Sequence, residues 1–443
     1  FIETDSLHWP AGAEVLRFEN LEGIVLVRGG LRGRAGADTT GPLALDTGAG
    51  YLALDLGLAR VLGLADSAGA SEAVDIAEHP LPRLTLGGWT IDQVEPVLTV
   101  DAEVVRRVCD RPVLGLIGQK PLRDRAVWID YREQVVALIP AGPFSDVEEL
   151  PPDGAVERAG ERRLAADSSR AADSARAAAA CDSALARSRA LLASVLTPRA
   201  VPVRFTLVGD GKILVHGALS DPRPPHYSGR LNLLVDTGAT KCVLFEDALA
   251  PRVSNADAWP ALRGLSAPTL IGAAEARIAR VPVIELEAAG GPLRLKDVDA
   301  GVIRSELGQV LSRVTHETIH GLVGYSFLKR FRVVVDYPHR VLWLDPIPGY
   351  RDDRPLEYCH VGLQLERQAG AVIVTGVATD SPAARAGIAR GDEVVALEGT
   401  AARSLDLITL TRRMEGEPGS TLTLVIRRGG VEHTYRLVRR RLL

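Results

Sequence analysis

The tripeptide Asp-Thr-Gly occurs twice in the chain, at Asp46-Thr47-Gly48 and at Asp236-Thr237-Gly238. Each copy follows an apolar run, which ends at Leu45 or Val235, and each is followed by an alanine. Two copies in matching contexts predict a duplicated unit that brings two carboxylates together. Such a pair suits acid–base chemistry on water, because like charges held close together cannot both ionise easily and come to share one proton.

The order of segments around the two tripeptides is repeated as well. An apolar segment that ends in glycine follows each copy, Leu116-Ile117-Gly118 in the first and Leu322-Val323-Gly324 in the second. Each half then closes with a matching strand, Ile129-Asp130-Tyr131 or Val335-Asp336-Tyr337. A repeat of this length indicates two related lobes rather than a solenoid.

The residues of each tripeptide have separate expected roles. The aspartate is aimed at its twin by a sharp turn after a buried strand. Gly48 and Gly238 allow the backbone to approach closely and to donate N–H groups. The hydroxyls of Thr47 and Thr237 can hydrogen-bond across the lobe interface. Asp-Thr-Gly is also an ordinary strand-to-turn signal, so one copy could serve structure alone.

Both copies resemble the lobes of retropepsin-type aspartic proteases, the family that includes retroviral proteases and bacterial relatives. The matching segments are Asp46-Thr47-Gly48-Ala49-Gly50, Asp236-Thr237-Gly238-Ala239-Thr240, Gly115-Leu116-Ile117-Gly118, Gly321-Leu322-Val323-Gly324 and, in the second copy, Ser326-Phe327-Leu328-Lys329-Arg330-Phe331. The first copy departs from the pattern at Gln119-Lys120-Pro121-Leu122, where we expect a shorter helix broken by proline.

The resemblance implies an aspartic endopeptidase, in which Asp46 and Asp236 activate water to hydrolyse peptide bonds. Gly118 and Gly324 would support the two turns. One carboxyl would act as base and the other as acid, and the two roles stay unassigned because coupled titrations belong to the pair. The family also closes a glycine-rich hairpin over its substrate, for which residues 65–77 and 262–278 are the two candidates.

The C-terminal part resembles a PDZ domain of the kind attached to bacterial proteases. The resemblance is carried by Ser381-Pro382-Ala383-Ala384-Arg385-Ala386-Gly387-Ile388 and Gly391-Asp392-Glu393-Val394. It implies a peptide-binding loop at Val361-Gly362-Leu363-Gln364-Leu365, with C-terminal peptides as possible ligands. Gln364 departs from the more usual Gly-Leu-Gly pattern of this loop.

The predicted fold is mainly β, with two acid-protease lobes that form a pseudo-dimer, a long Ala-rich helical linker and an α+β PDZ domain. The expected boundaries are 1–145 for the first lobe, 146–200 for the linker, 201–348 for the second lobe and 355–443 for the PDZ domain. Residues 161–197 contain neither glycine nor proline and are rich in alanine and arginine, which favours a helical spacer between the lobes.

The composition of the chain limits the kinds of partner and cofactor that we expect it to bind. The 52 basic and 56 acidic residues give a net charge of −4, which argues against a nucleic-acid partner. The apolar runs are too short for a membrane span. No cofactor and no metal site are expected, since the four cysteines lack metal-ligand spacing and His316 and His320 have no evident third ligand.

Three functional hypotheses follow. The first is the endopeptidase, with the PDZ domain recruiting or gating a peptide or protein substrate. The second is a catalytically silent peptide-binding scaffold, and the third is an enzyme active only as a lobe-swapped homodimer. A monomer with intramolecular lobe pairing is favoured. The chain begins at Phe1, so we expect a preceding segment, and the PDZ pairing suggests a bacterial periplasm or cell envelope.

Overall fold

A computed structural model describes residues 7–65, 74–100, 110–144, 180, 182–222, 225–269 and 272–443. Within these ranges the chain is mainly β, as the sequence predicts. The strands form four sheets, of 14, 9, 2 and 6 strands. In the described part of the chain, no helix has the length and apolar character needed to cross a membrane.

Residues 7–144, here called lobe 1, contain eleven described strands and two short helices. The strands are β1 (Glu14–Leu21), β2 (Ile24–Arg32), β3 (Asp38–Leu45), β4 (Leu52–Asp55), β5 (Val74–Ile76), β6 (Leu81–Leu86), β7 (Trp89–Val94), β8 (Val97–Val100), β9 (Gly115–Ile117), β10 (Arg125–Asp130) and β11 (Val135–Pro140). The helices are α1 (Leu56–Val61) and α2 (Gln119–Leu122), and a 3₁₀ turn covers Arg34–Gly36.

A helix over residues 182–191, α3, leads into residues 201–348, here called lobe 2. Its strands are β12 (Val201–Arg204), β13 (Thr206–Val208), β14 (Lys212–Pro222), β15 (Pro225–Tyr227), β16 (Leu231–Val235), β17 (Cys242–Phe245), β18 (Ala261–Thr269), β19 (Gly272–Leu286), β20 (Leu293–Arg304), β21 (Gly321–Val323), β22 (Phe331–Asp336) and β23 (Val341–Pro346). Its helices are α4 (Glu246–Leu249), α5 (Leu307–Thr315) and α6 (Tyr325–Leu328), with a 3₁₀ turn at Ala256–Ala258.

Residues 355–443, here called the C-terminal unit, form a small α+β arrangement. Its strands are β24 (Cys359–His360), β25 (Leu363–Gln368), β26 (Ala371–Val377), β27 (Glu393–Leu397), β28 (Thr400–Ala401), β29 (Thr421–Arg428), β30 (Val431–Val438) and β31 (Arg440–Arg441). Its helices are α7 (Pro382–Arg385) and α8 (Leu407–Met414), with a 3₁₀ turn at Ala402–Ser404.

The two lobes are joined by a shared floor of six strands in the order β12-β23-β22-β10-β11-β1. At its centre β10 pairs with β22 in antiparallel register, with Trp128 opposite Val334. Burial on both faces explains why these strands read as continuous apolar runs rather than as alternating ones. The buried Arg332 guanidinium lies 3.0 Å from an Asp130 carboxylate oxygen, which adds a charged tie between the lobes.

Helix α3 covers the outer face of this floor. The Ser188 hydroxyl donates to Asp336 Oδ2 at 2.5 Å and accepts from the Trp343 indole N–H at 2.9 Å. Leu192 and Val195 pack in one cluster with the buried tryptophans of the floor. The helix predicted over 161–197 ends at residue 191, and residues 146–179 of the predicted linker lie outside the described residues.

The prediction of a shorter, proline-broken helix in lobe 1 is wrong. Helix α2 and its counterpart α6 each contain four residues. Pro121 is the third residue of α2, within the first helical turn, where the missing N–H removes no intrahelical bond. Proline therefore fits this helix without shortening it.

Candidate active site

Each aspartate is placed by a strand that ends beside a parallel neighbour. Strand β3 pairs with β9, and the Asp46 N–H then donates to the Ile117 carbonyl at 3.0 Å. Strand β16 pairs with β21 in the same way, and the Asp236 N–H donates to the Val323 carbonyl at 3.0 Å. The backbone of both turns is thus fixed by main-chain bonds just before the carboxyl group.

The two carboxyls face each other across the seam between the lobes. Within its own turn, each accepts a 2.8 Å hydrogen bond at Oδ1, Asp46 from the Gly48 N–H and Asp236 from the Gly238 N–H. A Cβ atom at Gly48 would lie 2.7 Å from Asp236 Cγ, and one at Gly238 would lie 3.0 Å from Asp46 Cγ. Only glycine leaves room for the carboxyl of the opposite lobe.

The two threonines form a reciprocal set of four buried hydrogen bonds across the seam. The Thr47 hydroxyl donates to the Val235 carbonyl at 2.9 Å and accepts from the Thr237 N–H at 3.1 Å. The Thr237 hydroxyl donates to the Leu45 carbonyl at 2.8 Å and accepts from the Thr47 N–H at 3.0 Å. This arrangement fixes the distance and orientation of one turn relative to the other.

Gly118 and Gly324 lie directly behind the two turns. A Cβ atom at Gly118 would lie 2.5 Å from the Tyr51 carbonyl oxygen, and one at Gly324 would lie 2.2 Å from the Lys241 carbonyl oxygen. The Gly118 N–H also donates to the Tyr51 carbonyl at 3.0 Å. The structure therefore brings the residues predicted for the lobe site together at one place.

The surroundings of the pair favour one shared proton. Burial, followed by the negative charge of Asp46 and a hydrogen bond between the two carboxyls, raises the pKa of Asp236 well above its ordinary value. Burial also raises the pKa of Asp46, while the Gly48 N–H, the bond from Asp236 and the charge of Lys212 oppose that rise. Both aspartates stay partly exposed. The pair can thus accept a proton from a bound group at one carboxyl and donate one at the other.

Two buried tyrosines that the sequence analysis did not assign to the site interact electrostatically with its carboxyls. Tyr131 and Tyr337 have phenolic oxygens without a hydrogen-bond partner among the described residues. Burial and the charge of Asp236 raise the pKa of Tyr131, and burial and the charge of Asp46 raise that of Tyr337. The repeated Asp-Tyr was a usable signal, since each tyrosine directly follows a floor strand of one lobe and has its pKa raised by the charge of the other lobe's aspartate.

The predicted peptide-binding loop lies in the C-terminal unit, at the start of an edge strand. Val361 is fully buried, and Gly362 has φ +88°, with a hypothetical Cβ 2.2 Å from Ser381 Cβ. Strand β25 begins at Leu363 and pairs with β26 alone among the described strands. Its other edge can offer main-chain N–H and C=O groups to an added strand.

Gln364, the departure from the Gly-Leu-Gly pattern, attaches this unit to lobe 2. Its side-chain oxygen accepts from the Ser266 N–H at 3.0 Å, and its amide nitrogen donates to the Ser266 carbonyl at 2.6 Å. Nearby, the Thr379 N–H donates to the Arg263 carbonyl at 2.9 Å. These bonds hold the C-terminal unit against strand β18, which the sequence places in a candidate flap.

Lobe 1 contacts the same unit from another side. The Arg367 guanidinium lies 2.8 Å from one Asp110 carboxylate oxygen, and the other oxygen accepts from the Leu407 N–H at 2.8 Å. Asp110 thereby links the end of β25 to the first turn of α8. Arg354 pairs with both Glu22 of lobe 1 and Glu415 beyond α8.

The structure describes more of the second flap candidate than of the first. Residues 66–73 of the first lie outside the described residues. The second corresponds to the β18–β19 hairpin, of which residues 270–271 are likewise outside.

Replacing Gln364 with alanine is expected to loosen β18 without unfolding the C-terminal unit. The Ser266 N–H and C=O would lose their side-chain partners, so we expect amide exchange in β18 to rise roughly tenfold. Hydrogen–deuterium exchange with mass spectrometry measures this. Gln368→Ala is the matched control, because Gln368 is exposed and bonds within its own strand to Glu366. Equal exchange of β18 in the two variants would count against the attachment.

Comparison with known proteins adds a family match for the C-terminal unit. The family model described as "PDZ domain" matches residues 360–437. Two curated relatives are named "Probable CtpA-like serine protease". The one from Staphylococcus saprophyticus is 25% identical over 91 residues, which is 20% of this chain and 18% of the relative. The one from Staphylococcus haemolyticus is 25% identical over 95 residues, 21% of this chain and 19% of the relative. The match spans less than a fifth of each relative's length.

Solved structures give weaker likenesses. An aspartic proteinase from Irpex lacteus has 12% identity and a TM-score of 0.40, and the likeness covers 76% of this chain and 98% of that chain. The PDZ domain of a carboxy-terminal protease from Vibrio cholerae, in complex with peptide, has 20% identity and a TM-score of 0.18, and covers 19% of this chain and 94% of that chain. At these scores neither likeness carries an argument about function.

The prediction of an aspartic endopeptidase is contradicted by these comparisons. Both curated relatives are named serine proteases, so the functional class drawn from the sequence is corrected. What the comparisons show for this chain is a match to the PDZ domain family over residues 360–437.

Proposed function

We propose that this chain is a PDZ-containing peptidase whose proton-transfer groups are Asp46 and Asp236. The observation that carries the proposal is the facing carboxyl pair, which is partly exposed and held by matching turns of the two lobes. The peptidase class is supported by the PDZ match and by the names of the relatives, both of which are proteases.

Cleavage of a peptide bond requires proton transfers at the attacking group and at the leaving nitrogen. The Asp46–Asp236 pair holds one proton to give and one carboxylate to receive, so it can serve both transfers. Thr47 and Thr237 would keep the two carboxyls in register, while Gly48 and Gly238 keep them close. The group that attacks the peptide bond, the nucleophile, is the feature in which this chain can be compared directly with the relatives named serine proteases.

The PDZ unit is assigned the role of holding a peptide segment away from the carboxyl pair. A peptide added to the free edge of β25 would bond to its main chain, and a C-terminal carboxylate would meet the N–H groups of Leu363, Gln364 and Leu365. Gln364 also bonds to Ser266 in lobe 2, so the binding strand is attached to the hairpin of that lobe. A bound peptide would thereby be anchored to the lobe that carries Asp236.

A mixed peptide library tests the proposal with the full chain. Wild-type protein is expected to create new peptide termini, detected by mass spectrometry, and the double variant Asp46→Asn/Asp236→Asn is expected to create none above background. The names of the relatives indicate a serine nucleophile in those proteins. Treatment of this chain with a serine-directed fluorophosphonate tests whether a serine is its nucleophile too. Equal cleavage by wild-type and double variant would overturn the assignment of the pair.

A further inference from the structure

Strand β25 (Leu363–Gln368) and helix α8 (Leu407–Met414) flank the space in which a peptide strand would be added, here called the peptide groove. Strand β25 pairs with β26 on one edge, and no other described strand pairs with it. Helix α8 packs along the strand, since Leu363 lies in one buried cluster with Leu407 and Leu410. A peptide that extends the sheet at the free edge would therefore run between the strand and the helix.

A carboxyl group of lobe 1 joins the two sides of the peptide groove. The Arg367 guanidinium, on β25, lies 2.8 Å from one Asp110 carboxylate oxygen and donates to the other at 3.0 Å. That second oxygen also accepts from the Leu407 N–H at 2.8 Å. The Asp110 side chain is 9% exposed. Hydrogen bonds and burial thus hold a carboxylate from outside the C-terminal unit across the groove.

The C-terminal unit does not supply this carboxylate itself. Asp406, the residue before α8, accepts from the Thr409 N–H at 2.8 Å and from the Thr409 hydroxyl at 2.7 Å. Arg367 also donates to the Leu405 carbonyl at 2.6 Å, which fixes its guanidinium beside the helix. A guanidinium held in this way presents two parallel N–H donors, which suit a carboxylate better than a neutral acceptor. Lobe 1 fills that position with Asp110.

The Asp110 carboxyl lies at the end of the groove that is remote from the terminus-binding loop. Leu363 belongs to that loop, and Arg367 follows it by four residues along β25. At about 3.3 Å per residue, the two positions are roughly 13 Å apart. A peptide whose C-terminus lies at the loop must run antiparallel to β25. Its residue about four positions before the terminus would therefore meet Arg367.

We infer that Asp110 is an internal occupant of the peptide groove, and that the groove selects peptides with an acidic side chain about four residues before the C-terminus, which displace it. This inference rests on the proposed peptide-holding role of the PDZ unit and adds the class of peptide that it takes. The incoming carboxylate would take over the bonds to Arg367 and to the Leu407 N–H. A neutral side chain would leave the partly buried guanidinium without an anionic partner, which is costly.

Release of Asp110 leaves other contacts between α8 and lobe 1 in place. Ile408 packs on the apolar cluster of lobe 1 that includes Ile24 and Val113. The Arg412 guanidinium lies 3.2 Å from a Glu22 carboxylate oxygen. The exchange of one carboxylate for another is therefore a local event that does not require the C-terminal unit to separate from lobe 1.

Affinity selection with the immobilised full chain tests this exchange. The chain carries Asp46→Asn/Asp236→Asn, so that selected peptides are not cleaved. Two pools of decapeptides with free C-termini are offered, randomised except at roughly three to five positions before the terminus. These positions hold Asp or Glu in the acidic pool and Asn or Gln in the neutral pool. Mass spectrometry of the eluted peptides is expected to show roughly tenfold more binding of the acidic pool.

Substitutions at the groove identify the groups responsible. Asp110→Asn keeps the shape of the side chain, and asparagine tolerates the φ of +50° at this position. It weakens the internal competitor, so we expect binding of the acidic pool to rise roughly tenfold. Glu19→Gln is the matched control, because it removes an exposed carboxylate that pairs with the neighbouring Arg111, and it should bind like the parent chain. Arg367→Gln should abolish the preference for the acidic pool.

The possible results separate this inference from the proposed function. Equal binding of the acidic pool by Asp110→Asn and Glu19→Gln overturns the inference, as does equal binding of both pools by the parent chain. Asp110→Gly gives the same reading if the asparagine variant does not fold, since glycine also adopts a positive φ. Binding of neither pool by any variant overturns the peptide-holding role together with this inference. None of these results depends on peptide cleavage, which the wild-type chain tests separately.

Discussion

Thr237→Val is expected to lower the free energy of unfolding of the two-lobed part by about 2–4 kcal/mol. Valine keeps the shape of threonine but has no hydroxyl. The buried Thr47 N–H would lose its acceptor and the buried Leu45 carbonyl would lose its donor. Each buried group left without a partner costs about 1–3 kcal/mol, since water cannot replace the missing bond.

Urea unfolding followed by tryptophan fluorescence measures this loss, because the buried Trp128 and Trp343 report on the shared floor. Thr237→Ser is the matched control: serine retains the hydroxyl, so it should stay within about 1 kcal/mol of wild-type. The reciprocal geometry also predicts that Thr47→Val loses a similar amount. Equal stability of Thr237→Val and Thr237→Ser would show that the four bonds across the seam do not hold the lobes together.

The local parts of the site were predictable from sequence. An apolar run that ends in Asp-Thr-Gly specifies a buried strand followed by a tight turn, and its repetition indicates two such turns. The mainly β fold and the C-terminal PDZ resemblance could be inferred in the same way. Residue type and spacing carry these features, because strand burial, turn conformation and glycine clearance are properties of short segments.

Contacts between distant segments were not predictable. Gln364 was noted as a departure from a loop pattern, and its partner Ser266 lies 98 residues away. The helix after Gly118 was wrongly expected to be shorter than its lobe 2 counterpart, because proline was judged without its position in the first turn.

The functional class was the largest error of the sequence analysis. A resemblance carried by short motifs was extended to a catalytic type, whereas the matched relatives, compared over about a fifth of the chain, are named serine proteases. Geometry around Asp46 and Asp236 defines what protons can do there.

Asparagine at either carboxyl is expected to reduce peptide cleavage severely. Asparagine keeps the size of the side chain but can neither accept the proton nor release it. General acid–base groups contribute roughly 10²- to 10⁴-fold to the rate of a reaction. We therefore expect kcat/KM of Asp46→Asn and of Asp236→Asn to decrease by a factor of roughly 10² to 10⁴. The two residues share one proton and act as a unit, so the double variant should be little worse than either single variant.

The pH dependence should follow the shared proton. Activity should fall on the acidic side, where the pair takes up a second proton and neither carboxyl can act as base. It should also fall on the alkaline side, where the pair loses the one proton that it donates. Since the pKa of Asp236 is raised well above its ordinary value, the active range should extend above the pH at which free aspartate has ionised.

The measurement that tests the central claim most directly is kcat/KM for one cleaved library peptide, compared among wild-type, Asp46→Asn, Asp236→Asn and the double variant. Far-UV circular dichroism should confirm that all four are folded. The proposed pair predicts a loss of roughly 10²-fold or more in each single variant, with no further comparable loss in the double variant. A folded single variant that retains kcat/KM within a few-fold of wild-type would contradict a shared catalytic role for Asp46 and Asp236.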